Sequence, residues 1–295
     1  MFRLNRLAPS IGSRPRVAAL LVLASLFALL PLAASPLAAQ TAPEAVEPTA
    51  DLLLPYFEVD TLNGTGRSTL FAVRNETNIA VDVIVRYYEV NLPQLPQRTE
   101  RVTLASKETL TQNLRFVPDL RVDEDGIARG YVVISTDGAE PVLQGDWFRI
   151  DFAGNFATGD RLVQLTGSDL ELCQRWSARF FNGGAFDGGA TFFLWLDSPL
   201  SLTFGTTVGF YSVYDEQGSL AFSGELQADR VAFALRFTDL LLPLIPAPDF
   251  GTVEFEFADE LDGYVTGVLD ATNRYSVGFS ASCVDDVPLF LQPVE

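Results

Sequence analysis

The chain of 295 residues contains no histidine. Without an imidazole, catalysis by Ser-His-Asp or Cys-His groups is excluded, and so are the great majority of zinc, copper and non-haem iron sites. The chain also has a single lysine, Lys107, and two cysteines. Carboxylate chemistry and oxygen-ligated cations are the options that remain.

The two cysteines, Cys173 and Cys283, both lie in the second half of the chain. We expect them to form a disulfide that ties the first and last strands of that half together, as is typical of an oxidising compartment. Side chains alternate between the two faces of a strand. In that alternation Cys283 falls on the same face as the apolar residues before it, whereas Cys173 falls on the opposite face from the apolar residues after it. The bridge therefore requires a bulge or twist near Gln174. Two buried thiols are the alternative.

Positive charge is scarce in this chain. The sequence has 20 basic and 38 acidic residues, a formal net charge of −18. Four of the bases and none of the acids lie in residues 1–39, so the remainder has 16 bases, 38 acids and a net charge of −22. A field of that sign repels phosphates, which argues against nucleic acids and anionic membrane surfaces as partners.

Long apolar runs are confined to the N-terminal region. Residues 1–39 have the pattern of a secretory signal peptide: early arginines, the uncharged apolar segment 17–32, and small residues up to Ala39. We expect cleavage after Ala39, a Pro- and Ala-rich spacer at 40–50, and a secreted or periplasmic product. An uncleaved anchor is the alternative. No later apolar run is of spanning length, so we expect no membrane insertion of the mature chain.

The chain repeats itself about 122 residues apart. The segment 68–73 (Ser-Thr-Leu-Phe-Ala-Val) recurs as 190–195 (Ala-Thr-Phe-Phe-Leu-Trp), 114–116 recurs as 235–237, and 130–134 recurs as 251–255. This period exceeds the roughly 20–50 residues of solenoid repeats and indicates two domains of one fold. We place domain 1 at 51–167 and domain 2 at 168–295. The short join favours packing of the two domains against each other.

Nearly every periodic segment alternates with period two. Val253, Phe255 and Phe257, for example, alternate with Glu254 and Glu256. This pattern predicts half-buried strands, and no mature segment of helical length shows a convincing helical stripe. The sequence therefore predicts an all-β fold of two tandem antiparallel β-sandwich domains of immunoglobulin-like type, each with seven or eight strands.

Asp119, Asp123 and Asp125 form the best metal candidate in the sequence. Hard cations such as calcium bind several oxygens from a compact loop, and Gly126 permits a sharp turn there. The later bidentate acid of a helix-loop-helix calcium site is missing, so a solvated turn is the alternative.

Trp176 is the candidate for a ligand platform. Sandwich domains often bind sugars on exposed aromatic rings, and Trp176 lies between arginines. In a chain with 23 phenylalanines, alternating aromatics are more typical of a core.

Three segments resemble a group of secreted bacterial proteins of uncharacterised function. They are 52–60 (Leu-Leu-Leu-Pro-Tyr-Phe-Glu-Val-Asp), 69–75 (Thr-Leu-Phe-Ala-Val-Arg-Asn) and 276–283 (Ser-Val-Gly-Phe-Ser-Ala-Ser-Cys). The resemblance covers most of the mature chain and implies export and tandem β-sandwich domains. It implies no activity and no catalytic residue.

The sequence therefore predicts a non-catalytic binding or structural protein without a cofactor. Its expected partner is a protein or glycan of the cell envelope or exterior. The alternative is a carbohydrate-binding module or a carboxylate-based glycoside hydrolase, acting with or without calcium. A hydrolase would require a cleft with two carboxyl groups about 5–10 Å apart.

Overall fold

The computed structural model describes residues 51–90, 95–138, 142–152, 156–165, 172–184, 186–187, 189–197, 205–241, 248–259, 261–271 and 275–284. All of them lie in one compact unit, Val46–Glu295. The predicted leader with its cleavage site at Ala39, the predicted spacer and the join near residues 166–168 lie outside the described residues.

The first half of the described chain contains nine strands and one short 3-10 helix, Leu114–Phe116. The strands are β1 (Asp51–Asp60), β2 (Arg67–Asn75), β3 (Val81–Glu89), β4 (Arg98–Leu104), β5 (Thr109–Asn113), β6 (Ile127–Thr136), β7 (Leu143–Asp151), β8 (Phe156–Arg161) and β9 (Val163–Gln164).

The second half of the described chain also contains nine strands and one short helix, α1 (Phe237–Leu240). The strands are β10 (Arg175–Phe181), β11 (Gly189–Asp197), β12 (Thr206–Tyr214), β13 (Leu220–Ala228), β14 (Ala232–Arg236), β15 (Phe250–Phe257), β16 (Asp262–Ala271), β17 (Tyr275–Ser280) and β18 (Ser282–Cys283).

The strand order is the same in both halves. The first half has one sheet of order β4-β3-β6-β1-β9 and one of order β5-β2-β7-β8. The second half has the orders β13-β12-β15-β10-β18 and β14-β11-β16-β17, so each strand has a counterpart nine places later. All of these pairings are antiparallel. The all-β fold with antiparallel sandwich sheets is confirmed, and the duplication extends to the topology.

The last strand of each half changes from one sheet to the other. β8 pairs with β7, and after Leu162 the chain continues as β9 beside β1. β17 pairs with β16, and after Ala281 the chain continues as β18 beside β10. The prediction that Cys283 shares an apolar face with the residues before it was therefore wrong. Cys283 is exposed, because the crossing ends the alternation on one face.

The core of each half lies between its two sheets. In β15, Val253, Phe255 and Phe257 are at most 1% exposed, as their alternation with glutamates predicted. β1 packs against β2 and β7 in the first half, and β10 packs against β11 and β16 in the second. Burying alternate apolar side chains on facing sheets is the main stabilisation of such a fold.

The two halves pack against each other through aromatic side chains. Phe193 on β11 stacks on Tyr56 of β1, with ring centroids 5.1 Å apart, and meets Trp147 of β7 edge-on at 6.3 Å. Trp195 lies edge-on to Tyr131 of β6 at 6.1 Å. Neighbouring residues of β11 therefore pack in opposite directions. Phe193 packs on the first half, whereas Phe192 packs on Phe255 within the second half.

A second contact between the halves joins β8 to β17. Asp160 accepts hydrogen bonds from the hydroxyl groups of Thr266 (3.1 Å) and Ser280 (2.8 Å). A Cβ added to Gly278 would lie 2.7 Å from Thr158 Oγ1, so β17 approaches β8 at a distance that only glycine permits. These contacts hold the two halves in one arrangement.

Gly130 and Gly251, which are equivalent in the two repeats, predict a paired stability effect. A Cβ on Gly130 would collide with the carbonyl oxygen of Tyr88, and one on Gly251 with that of Tyr214. We expect each alanine variant to lower the free energy of unfolding by about 1–3 kcal/mol in urea titrations. The control is Gly64→Ala, whose nearest neighbour would be 3.9 Å away and whose effect should stay below about 0.5 kcal/mol. Equal effects at all three positions would contradict the prediction.

Candidate functional site

A cleft of about 770 Å3 opens where the two halves meet. The first half contributes residues of β1, β2, β6 and β7, and the second contributes residues of β11, β13, β14, α1 and β16 together with residues 229–230. Its charged residues are five arginines and five acids, namely Arg67, Arg129, Arg149, Arg230, Arg236, Glu58, Asp151, Asp229, Asp239 and Asp270. A third of the 15 arginines that follow residue 39 therefore line one cleft.

The wall from the first half is a chain of ion pairs. Glu58 lies 3.2 Å from Arg67 Nη1 and 3.8 Å from Arg129 Nη2. Arg67 Nε also lies 3.8 Å from Asp151. Tyr56 is buried beside this chain, and its burial raises the pKa of the phenol, with Glu58 adding to the effect. The phenol therefore stays neutral.

The predicted calcium residues surround an arginine instead of a cation. Arg129 Nη1 donates to Asp123 (2.7 Å), and Arg129 Nη2 donates to Asp125 (2.6 Å). The hydrogen bond to Asp125 is the main cause of a raised pKa at Arg129, and the same bond lowers the pKa of Asp125. Asp119 lies apart, with its exposed carboxylate 3.7 Å from Arg98. The calcium assignment was wrong, because a guanidinium already occupies the space between Asp123 and Asp125.

Within the described residues, no cluster of three or more metal-ligating side chains occurs elsewhere either.

The wall from the second half combines an aromatic surface with a local ion pair. Phe233 and Ala234 of β14 line the cleft beside Phe193, and Ala234 is directly opposite Phe193 in the strand register. Arg230 donates to both carboxylate oxygens of Asp229, at 2.7 and 3.2 Å. These hydrogen bonds lower the pKa of Asp229. Four of the five acids of the cleft thus lie beside an arginine.

Arg149 is the most buried charge of the cleft, at 5% exposure. Its guanidinium lies over the ring of Phe193, 5.8 Å from the centroid. Asp270 approaches it across the boundary between the halves, with 3.8 Å between Nη1 and Oδ1. That distance is too long for a hydrogen bond, and Nε and Nη1 of Arg149 are buried without a hydrogen-bond partner.

Trp176 is a core residue and not a platform. It is 3% exposed, and its Nε1 donates to the carbonyl oxygens of Cys173 (3.1 Å) and Gly263 (3.0 Å). Its ring also packs edge-on against Tyr264 at 5.0 Å. The platform assignment was wrong, because the second half closes over this ring and uses its polar edge internally.

Cys173 and Cys283 form the predicted disulfide, with Cα atoms 5.9 Å apart. The backbone bends at Gln174, before β10 begins, which resolves the phase mismatch that the sequence indicated. Cys283 on β18 is opposite Trp176 in the register. The bridge therefore fastens the start of the second half to its last strand. A disulfide is typical of proteins in oxidising compartments.

Asp197 and Asp262 form a facing pair of carboxylates that do not line the cleft. Asp197 ends β11 and is directly opposite Asp262, which begins β16. Partial burial raises the pKa of Asp197, and the charge of Asp262 raises it further. A carboxyl group with a raised pKa beside a second carboxylate is the arrangement that acid-base hydrolysis uses.

This pair predicts a pH-dependent effect of Asp197→Asn. Because the pKa of Asp197 is raised in the folded state, its contribution to stability is present below the unfolded pKa of about 4 and is lost as the pH rises through the folded pKa. The variant should therefore be more stable than the parent near neutral pH, by less than about 1 kcal/mol, because the side chain is only partly buried and solvent screens its charge. Urea titrations at neutral and acidic pH measure this. Glu124→Gln, an exposed turn residue, is the control, and an equal gain at both pH values would contradict the prediction.

The sequence did not single out the arginines of the cleft. They lie on strands far apart in the chain, and only the packing of the two halves brings them together. One local signal existed: Arg149 is in phase with Trp147 on β7, which places a charge on a buried face. A charge at a buried strand position is unusual unless it has a partner.

No family model and no curated protein matches this chain. Among the residues described, no helix has the length and apolar character needed to cross a bilayer. The cleft is therefore the basis for assigning a function.

Proposed function

We propose that this protein is an exported, non-catalytic binding protein whose ligand occupies the cleft between its two β-sandwich halves. The observation that carries the proposal is the cleft itself, which has the volume of a small-molecule site and is built by both halves. The signal-peptide pattern and the disulfide support a secreted or periplasmic location. A glycan or another component of the cell envelope or exterior is the partner that this location makes available.

Binding fits the chemistry of the cleft better than catalysis does. Glu58 is paired with Arg67, and the hydrogen bonds from Arg230 lower the pKa of Asp229, which makes that carboxyl a poor proton donor. The sequence supplies no imidazole, and its two cysteines are joined to each other. Fixed ion pairs around an aromatic wall hold and orient a ligand, which is the work of a binding site.

The second candidate function is glycoside hydrolysis by Asp197 and Asp262. The observation that favours it is the raised pKa of Asp197 beside a second carboxylate directly opposite in the register. In that case Asp197→Asn would abolish cleavage of a polysaccharide that the parent degrades. Retained cleavage in that variant would exclude this pair as the catalytic group.

The test of the cleft proposal blocks the cleft without disturbing the core. Ala234 is exposed and lines the cleft, so Ala234→Trp fills the space from its rim. Ser223→Trp adds the same side chain at an exposed position of β13 outside the cleft and is the matched control. Binding to a panel of saccharides, organic acids and amino acids is measured by thermal-shift assays and calorimetry.

We expect a ligand from this panel to bind the parent and Ser223→Trp equally and to lose affinity for Ala234→Trp by at least about 100-fold. A ligand that binds Ala234→Trp as tightly as it binds the parent would place the site elsewhere on the protein.

A further inference from the structure

We infer that the cleft ligand carries an oxyanion, such as a carboxylate, sulfate or phosphate group, and that Arg149 is its anchor. This inference rests on the proposed function and names the chemical class of the ligand. Arg149 lines the cleft from β7 and belongs to the small part of this acidic chain in which arginines are concentrated.

The first argument is the state of the Arg149 guanidinium. It is almost fully removed from water, and two of its nitrogens, Nε and Nη1, have no hydrogen-bond partner. A buried charge without hydrogen bonds is strongly unfavourable, and its partners in proteins are oxyanions that accept from several N–H groups. Asp270, at 3.8 Å, lowers this cost through its charge without making a hydrogen bond to Arg149. An oxyanion that entered the cleft would supply the missing acceptors.

The second argument comes from comparing the two repeats. Arg149 is opposite Thr69 on β2, and Val268 is opposite Thr191 on β11, the residue that corresponds to Thr69. The second half therefore has a valine, 1% exposed, at the position where the first half has Arg149. A buried apolar side chain satisfies this position structurally, so the fold itself does not require an arginine there. A buried ion pair is seldom more stabilising than apolar residues of similar size, which leaves ligand binding as the reason for the charge.

The third argument is the distribution of the remaining charges. Glu58 and Asp151 face Arg67, and Asp229 faces Arg230, so these acids balance other arginines. Arg236, at the exposed rim of the cleft, makes no ion pair within the described part of the chain. Among the described residues, the charged groups without an ion pair at hydrogen-bond distance therefore include Arg149 inside the cleft and, at its rim, Arg236 and Asp239, of which Asp239 accepts a hydrogen bond (3.1 Å) from the backbone N–H of Arg236. Phe193 under Arg149 and Phe233 beside it provide an apolar wall for the body of the ligand.

The experiment compares anions with a matched neutral compound. Glucuronate and glucose differ in one carboxylate, and inorganic sulfate and phosphate are the other probes. Each is titrated into the purified protein by calorimetry and thermal shift, at constant ionic strength and up to about 10 mM, a concentration that detects affinities in the millimolar range. We expect at least one oxyanion to bind and glucose not to bind. Binding of glucuronate alone assigns the site to carboxylates, and binding of sulfate or phosphate alone assigns it to those groups.

The variants identify the anchor. Arg149→Gln should weaken binding of the anion by about 10- to 100-fold, and Arg149→Lys by less, because lysine restores the charge but not the planar set of donors. Arg236→Gln, at an exposed position, should weaken binding several-fold and provides the test if Arg149→Gln does not fold. Arg101→Gln, exposed and outside the cleft, is the control and should bind like the parent.

Three results would overturn the inference. They are equal binding of glucuronate and glucose, no binding of any of the oxyanions, and anion affinity that is unchanged in both Arg149→Gln and Arg236→Gln. A neutral ligand that Ala234→Trp excludes would overturn the oxyanion assignment and leave the cleft as the binding site. An anion that still binds Ala234→Trp would overturn both proposals.

Discussion

Replacing Phe193 by alanine is expected to lower the free energy of unfolding by about 3–5 kcal/mol, as for other fully buried phenylalanines. The ring is 2% exposed, and it contacts Tyr56, Trp147 and Arg149 of the other half. Its removal leaves a cavity between the halves and takes away the aromatic face under the Arg149 guanidinium. We therefore expect reduced stability and reduced anion affinity together, measured by urea titration and calorimetry.

Two matched variants separate these effects. Phe255→Ala removes a ring from the core of the second half, and it should cost a similar free energy without changing the contact between the halves. Phe148, next to Trp147 on β7, is 43% exposed, and Phe148→Ala should change stability by less than about 1 kcal/mol. If Phe193→Ala behaved like Phe148→Ala, the aromatic contact would not be what holds the halves together.

Removal of the disulfide has a comparably large expected effect. Replacing both Cys173 and Cys283 by alanine opens a loop in which the two residues are 110 positions apart. In the chain-entropy model, closing a loop of that length raises the free energy of unfolding by about 4–5 kcal/mol, so the double variant should lose that amount of stability. Urea titrations of the double variant and of the parent, each with and without a thiol reductant, measure the loss.

The reductant provides the internal control for this experiment. It should lower the stability of the parent to that of the double variant and leave the variant unchanged. A parent whose stability did not respond to reductant under unfolding conditions would show that the bridge contributes little to the folded state.

The fold could be predicted from the sequence because its signals are local and occur twice. The alternation in segments such as 253–257 fixes which side chains face the core, and the repeat of 68–73 at 190–195 assigns β2 and β11 to the same role. The crossing of the last strand between sheets was missed. It depends on a change of partner at Leu162 and Ala281, and neither residue is distinctive in sequence.

The site could not be predicted in the same way, because it forms between the repeats. Asp123 and Asp125 suggested calcium until the structure placed Arg129, four residues after Asp125, between their carboxylates. Arg149 and Asp270 are 121 positions apart and meet only through the packing of one half on the other. Local pattern describes each half well, but it contains little information about how the two halves face each other.

The disulfide also limits how far the protein can be stretched. When the chain is pulled from its two ends, tension passes from Cys173 directly to Cys283, and residues 174–282 between them carry no load. The extended length is shortened by about 360–400 Å, at the usual 3.3–3.6 Å for each residue. The first half has no cysteine and no such limit. Under tension, the first half of the oxidised protein can therefore be extended, whereas the second half cannot be extended between its two cysteines.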